Sequence, residues 1–462
     1  MRSRQVLLVL GILAGVAMRS AAFAGPVPAG GGSAASGPSA TAAAEGPGAA
    51  EAAGDGPIPS PEPGWPQWRG RWRDGVSRET GLLQAWPEGG PKVVWTAEGL
   101  GRGWSAPVVS GGRMWLAGDF GPTCQVICLR ADTGKEVWRS PNGRSWTRNH
   151  PGARAACCYA DGRVYHLNGH GRLACFDAET GKELWSLNIL ERFGGRPITW
   201  GLSECLLVHE GKVFATPGGT RAFMVALDAR TGRPVWTSPP LPEPTVQRTG
   251  YASPILLRLG GRKVLVTLAL RALVALDAET GRLYDLFPKR TRYDASCSTP
   301  VWVAGGVFYT LPTRSGCVFL RLAAGPEGVR FRKVWEGAMD SCHGGAVAVD
   351  GIIYGSGWDA TGWVSYDPAT GRQGFDDRTI AVGTAIYADG RLYCLGERGT
   401  VALVRPRPDR FDIVSRFRLV EGSYRDAWTP PVVLDGRLYL RYHDRLWCYD
   451  VRRPGAGGAE GR

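Results

Sequence analysis

Short apolar stretches broken by turn residues run along most of this chain. Residues 161–167 (DGRVYHL), 389–395 (DGRLYCL) and 435–440 (DGRLYL) each set an Asp-Gly turn before alternating strand residues, the pattern of a tight hairpin leading into a strand. A second element recurs at 126–140 (VICLRADTGKEVWRS), 173–187 (LACFDAETGKELWSL), 224–238 (MVALDARTGRPVWTS), 273–287 (LVALDAETGRLYDLF) and 363–375 (WVSYDPATGRQGF). Its Thr-Gly pairs fall at 133/134, 180/181, 231/232, 280/281 and 370/371, spaced by 47, 51 and 49 residues and then by 90, which is two units. A degenerate copy near Leu320 and two more near Ala402 and Cys448 complete eight units between Lys92 and Val451. A period of about 45 residues without a helical pattern predicts an all-β fold, an eight-bladed β-propeller of four-stranded antiparallel blades. The Gly of each Thr-Gly pair supplies a positive φ. The aromatic after it (Trp138, Trp185, Trp236, Phe375) is expected to wedge between blades, and the small residue before it leaves room. The last unit has no fourth strand. The segment KVVW at 92–95 has the missing pattern and is expected to close the ring by pairing in that blade.

The ends read differently. Arg2 and Arg4, the apolar stretch Val6–Met18 and the small-x-small run Ala22, Phe23, Ala24 form an export signal over 1–24, with cleavage before Gly25. Arg19 near the cut leaves retention as an anchor as the alternative, and no Cys follows the apolar stretch for lipidation. Residues 25–63, almost wholly Gly, Ala, Pro and Ser, read as a disordered linker. The propeller is expected over 64–451 and a flexible tail over 452–462. The chain is therefore expected in the periplasm or cell envelope, as a monomer, with no membrane span after signal cleavage.

Composition agrees. With 44% hydrophobic residues among 462 the chain is too apolar for general disorder, and 66 Gly and 33 Pro suit turns rather than helices. The net charge of +13 comes almost entirely from Arg. These arginines are scattered singly in turns, so a solvated basic surface is expected rather than a nucleic-acid partner.

Eleven cysteines are an odd count for an exported chain. Cys128, Cys175 and Cys448 occupy the small-residue slot of the repeat and read as small buried apolar residues. Cys124 and Cys128 have metal-like spacing, but on one strand and without a second pair, so no metal is expected. His166 and His170 flank a hairpin and lack a carboxylate, again a weak metal set.

The blade motif ALDAETG at 275–281 resembles the pyrroloquinoline-quinone-like (quinoprotein-type) β-propeller repeat family. The stretches WPQWRG (65–70), DGVS (74–77), CHGG (342–345) and ERGTVAL (397–403) resemble a non-catalytic, exported bacterial branch of it. The resemblance implies two functions. One is a non-enzymatic binding or scaffold protein without cofactor or catalytic residues, which takes a protein or small-molecule partner at the funnel face. The other is an alcohol or sugar dehydrogenase dependent on PQQ and calcium. For the second, the resemblance implies a vicinal disulfide at Cys157 and Cys158, Glu204 as a calcium ligand and Asp294 as a base. The family's Gly-Asn-x-x-Pro-Trp and Asp-x-Trp-Asp segments are missing, which favours the first. Carbohydrate binding is a third reading, suggested by the 18 Trp. The candidate ligand residues lie in the irregular segments that open the blades: Arg154, Trp200, Glu204, Tyr251, His343, Trp358 and Trp428.

Overall fold

The computed structural model describes residues 54–242, 248–421 and 426–454. Among them eight sheets follow one another along the chain. Blade 1 consists of the strands Val108–Ser110, Arg113–Phe120, Thr123–Arg130 and Glu136–Arg144. Blades 2 to 7 span 158–188, 207–237, 255–288, 301–337, 346–377 and 383–418. Blade 8 combines Val432–Leu434, Arg437–Tyr442 and Arg445–Asp450 with the N-terminal strand Lys92–Ala97, in antiparallel register from Lys92↔Asp450 to Ala97↔Leu446. Each end of the ring thus supplies part of one sheet, as the missing fourth strand implied. One short helix, Ile189–Phe193, capped by the Asn188 side chain, links blades 2 and 3.

Within the blades the two turn motifs behave as their chemistry requires. Asp161, Asp389 and Asp435 and the glycines after them all have positive φ, the geometry of a type I′ hairpin. In the Asp-x-x-Thr-Gly turns the carboxylate caps the loop: Asp228 Oδ1 accepts from Thr231 N and Oγ1, both at 2.8 Å. The wedge aromatic then joins blade to blade. Trp236 of blade 3 donates its indole N–H to Ala278 O at 3.1 Å and covers Gly281 of blade 4, where a Cβ would lie 2.4 Å from the ring. Trp138 repeats this on Ala178 and Gly181, and Trp185 on Ala229 and Gly232. Trp95, on the closing strand, does the same on Ala131 and Gly134, so the N-terminal strand carries the joint between blades 8 and 1. Cys128, Cys175 and Cys448 stand opposite Trp138, Trp185 and Trp95 and are fully buried.

The ring has a hub that the linker reading did not foresee. Gly56–Pro57 pairs with blade 4, and Val76–Ser77 adds a parallel strand to blade 7, so these two sheets have five strands. Between them Trp65 exchanges backbone hydrogen bonds with Val109 of blade 1, and Pro66 O accepts from Tyr159 N of blade 2 at 2.8 Å. Trp68 Nε1 donates to Thr299 Oγ1 ahead of blade 5 at 2.9 Å. The buried Arg69 guanidinium donates to the carbonyls of Gly344 and Ala346 at blade 6. Arg73, equally buried, donates to those of Cys205 (2.7 Å) and Leu206 (3.0 Å) at blade 3. Glu79 accepts from Gly436 N of blade 8 at 2.8 Å. Blades 1 and 5 face each other across an eight-membered ring, yet are bonded three residues apart. The segment therefore lies across the axis and touches every blade.

The folded part thus begins ahead of Trp65, and the expected linker 25–63 is corrected at its C-terminal end. Gly- and Pro-rich sequence can still be held by backbone hydrogen bonds, which need no side-chain pattern. The tail expected from 452 is likewise pinned at its start, where Arg452 bridges Leu82. The signal segment 1–24 and the rest of the linker and tail lie outside the described residues. No helix among the described residues is long and apolar enough to cross a membrane.

Candidate functional site

The segments that open the blades converge on the axis around a cavity of about 410 Å³. Trp68 of the hub lies in its lining, which makes the hub the floor. Arg154, Trp200, Tyr251, His343, Trp358 and Trp428 all line it, together with Trp104, His150, Tyr293 and three cysteines.

Each of these side chains is positioned by something local. Asp340, fully buried, accepts from the backbone N–H of Trp358 (2.8 Å), Asp359 and Ala360 (both 3.1 Å) and Arg314 (2.9 Å). It thereby folds the loop that presents Trp358. His343 precedes Gly344 and Gly345. A Cβ on Gly344 would come within 2.9 Å of Thr384, and Gly345 has φ +74°, so the tight passage behind the ring needs both glycines. The His343 imidazole stacks on Trp428 (centroids 4.5 Å apart, 16° between planes) and meets Trp358 edge-on at 4.6 Å. Trp104 stacks on the same Trp428 at 4.9 Å. Trp428 Nε1 has no hydrogen-bond partner among the described residues. Trp200 packs against Tyr251 with centroids 5.6 Å apart.

The electrostatics are those of a site withdrawn from water. Burial, with help from nearby His150, pushes His343 down to about 3, so its ring is neutral. Burial lifts the Tyr251 phenol to about 12. Arg154 donates to the carbonyls of Gly152 (3.0 Å) and His150 (2.7 Å), and its guanidinium lies 5.6 Å from the Trp104 ring and 5.4 Å from that of Trp146. Burial lowers it to about 10, which still leaves it charged. It is the one Lys or Arg in the lining, and no Asp or Glu accompanies it among the described residues.

Glu204 differs from the other six candidates. Its neighbours Ser203 and Cys205 line the cavity, whereas Glu204 does not. Alternate residues of an extended segment face opposite ways, and the Glu204 carboxylate accepts from Thr216 N and Oγ1, both at 2.9 Å. Burial raises it to about 7 against those bonds and the pull of Arg73. The same alternation separates Cys157 and Cys158. Both are buried thiols, packed in different apolar clusters, and neither lines the cavity. Asp294 pairs with Arg271 through two 2.6 Å bonds and does not reach the lining. His166 bonds Asn142 and His170 bonds Ser145 O. No group of three or more His, Cys, Asp or Glu that could hold a metal occurs among the described residues.

The sequence reading missed Trp104, His150, Trp68 and the cysteine pair Cys297 and Cys342. Trp104 was within reach, since it precedes the first strand of blade 1 much as Trp428 precedes that of blade 8. Trp68 carries no such signal because the hub stands outside the repeat.

A family model described as outer membrane protein assembly factor BamB matches residues 123–375. The chain belongs to this family of PQQ-like repeat β-propellers. Within it, relatives of two kinds are similar. The dehydrogenase subunit of the quinone alcohol dehydrogenase of Gluconobacter oxydans is 29% identical over 167 residues, 33% of this chain and 21% of that one. The quinohemoprotein alcohol dehydrogenase ADH IIB of Pseudomonas putida is 33% identical over 124 residues, 24% of this chain and 17% of that one. The matched stretch thus spans about a fifth of the length of these curated relatives. Among solved structures, BamB from Moraxella catarrhalis superposes with a TM-score of 0.53 at 16% identity, covering 78% of this chain and 97% of that one. Quinohemoprotein alcohol dehydrogenase from Comamonas testosteroni superposes with 0.58 at 14% identity, covering 87% and 82%. At such identities the superpositions show the fold.

Proposed function

We propose that this PQQ-like propeller is an exported, non-enzymatic binding or scaffold protein that receives a flat apolar group, from a small molecule or a partner protein, in the axial cavity. The observation that carries this reading is the lining itself. It is a wall of tryptophans around a neutral histidine and one arginine, closed below by the hub and without a carboxylate among the described residues. Such a wall buries apolar surface and stacks on rings, and its few polar groups orient what enters. The expected export rests on the sequence signal.

The quinone dehydrogenase relatives favour a second reading, and the donor set speaks against it. Calcium takes roughly six to eight oxygen ligands, with carboxylates prominent. Glu204 faces Thr216 instead of the cavity, and Asp294 is held by Arg271. The residues present do not fit the ion.

The test is a titration followed by tryptophan fluorescence, with anilinonaphthalene sulfonate as an apolar aromatic probe and PQQ with and without Ca²⁺ as the second ligand. Saturable quenching by the probe, weakened in Trp428→Ala, is the expected result. Absence of saturable binding would defeat the cavity reading. Dye reduction with alcohols or aldoses that requires both PQQ and Ca²⁺ would put the dehydrogenase reading first.

A further inference from the structure

Nine of the eleven cysteines are buried, whereas Cys297 and Cys342 are partly exposed. Both line the axial cavity. They lie far apart in sequence, on the segments that open blades 5 and 6, and one buried threonine ties those segments together. Thr310 O accepts from Ser298 Oγ at 2.8 Å, and Thr310 Oγ1 donates to Ser341 O at 3.2 Å. The residues beside the two cysteines are thus held on a common anchor, and the Cys297 thiol hydrogen-bonds the Cys342 thiol. We propose that Cys297 and Cys342 form a dithiol site in the cavity wall that closes to a disulfide by exchange with a small-molecule disulfide such as glutathione disulfide.

The hydrogen bond between the thiols, then burial, raises Cys297 well above the ordinary thiol range. The exchange balances in the same way whichever thiol attacks first, and one route starts at Cys342. Its thiolate attacks one sulfur of the oxidant, the oxidant's S–S bond breaks, and one glutathione thiolate leaves. Cys297 then loses its proton and attacks the Cys342 sulfur of the mixed disulfide, releasing the second glutathione. Two protein S–H groups become one S–S bond. The two electrons reduce the oxidant, and the two protons end on its two thiols. The bond would clip the entrances of neighbouring blades together directly beside His343, whose ring stacks on Trp428.

The test uses the reduced full-length protein in its native state. It is incubated with glutathione disulfide, quenched with iodoacetamide, digested and mapped by mass spectrometry. One peptide pair linked through Cys297 and Cys342, lighter by two hydrogens, is the expected product, with the other nine cysteines free. Cys297→Ser and Cys342→Ser should each trap glutathione as a mixed disulfide on the cysteine that remains. Glutathione that stays on the wild-type pair without a link, a link between other cysteines, or no reaction at either residue would overturn the proposal. The readout involves no cavity ligand, so its outcome is independent of the binding function.

Discussion

Trp95, Trp138, Trp185 and Trp236 at the blade joints donate their indole N–H groups to carbonyls of the next blade at 3.0–3.2 Å. At the ring centre the N–H of Trp428 has no partner among the described residues, and its ring faces His343, Trp104 and Trp358. One side chain thus serves two purposes. At these four joints the indole N–H is answered and the ring fills a space shaped by a glycine of the next blade. At the centre the rings stack on one another around open volume, and burial moves the titration of His343, Tyr251 and Arg154 away from their ordinary values. Stability is therefore expected from the joints and recognition from the centre.

The strongest attack on this contrast is Trp236→Ala. It should cost about 3–5 kcal/mol, visible as a lower midpoint in urea unfolding, while probe affinity in the surviving folded fraction stays unchanged. A loss of affinity with unchanged stability would reverse the assignment. Next in size is a pH effect at Glu204, whose carboxylate faces Thr216 and lies outside the cavity lining. The carboxyl of Glu204 is raised to about 7, above its unfolded value, so the folded state binds its proton more tightly. Stability from this group is full below about pH 4.5 and falls as pH rises through about 7, by up to about 3 kcal/mol. Glu204→Gln should flatten that part of the profile of melting temperature against pH. Parallel profiles for the two proteins would show that the buried carboxyl does not titrate there.

A smaller effect is expected for Trp428→Ala. Probe affinity should fall about tenfold, near 1.4 kcal/mol, with less loss of stability than in Trp236→Ala. The smallest concerns the rim, where Asp228→Ala removes the acceptor for Thr231 N and Oγ1. It should cost about 1 kcal/mol in urea unfolding and leave the probe untouched.

How much of this was legible follows from what repeats. The joints could be read because the same turn and the same aromatic recur in register. Blade 5 shows the limit. Its outer hairpin, Gly316–Gly325 with Gly328–Gly337, lacks the Asp-x-x-Thr-Gly turn, so Trp335 was not recognised, although it covers Gly371 of blade 6 as the other wedges cover theirs. The cavity could be read in part, because irregular openings between repeats gather at one end of a propeller. That argument placed six residues in the lining and misplaced Glu204, since it locates a segment but not which face of it looks inward. The hub could not be read. Its bonds run through backbone groups, through two arginines that reach carbonyls and through the single side chains of Trp68 and Glu79, and none of these leaves a periodic trace.

The hub also sets an order of assembly. The segment crossing the axis is made early, but its partners are spread over all eight blades, and the strand Lys92–Ala97 pairs with Arg445–Asp450 at the far end of the described chain. Contacts of such long sequence separation carry the entropy of closing a large loop before they return any stabilisation. Each blade can form from neighbouring residues while the start of the chain waits for the last strand. A chain that emerges N-terminus first therefore has its earliest residues among the last to be placed, and until then its central face stays uncovered.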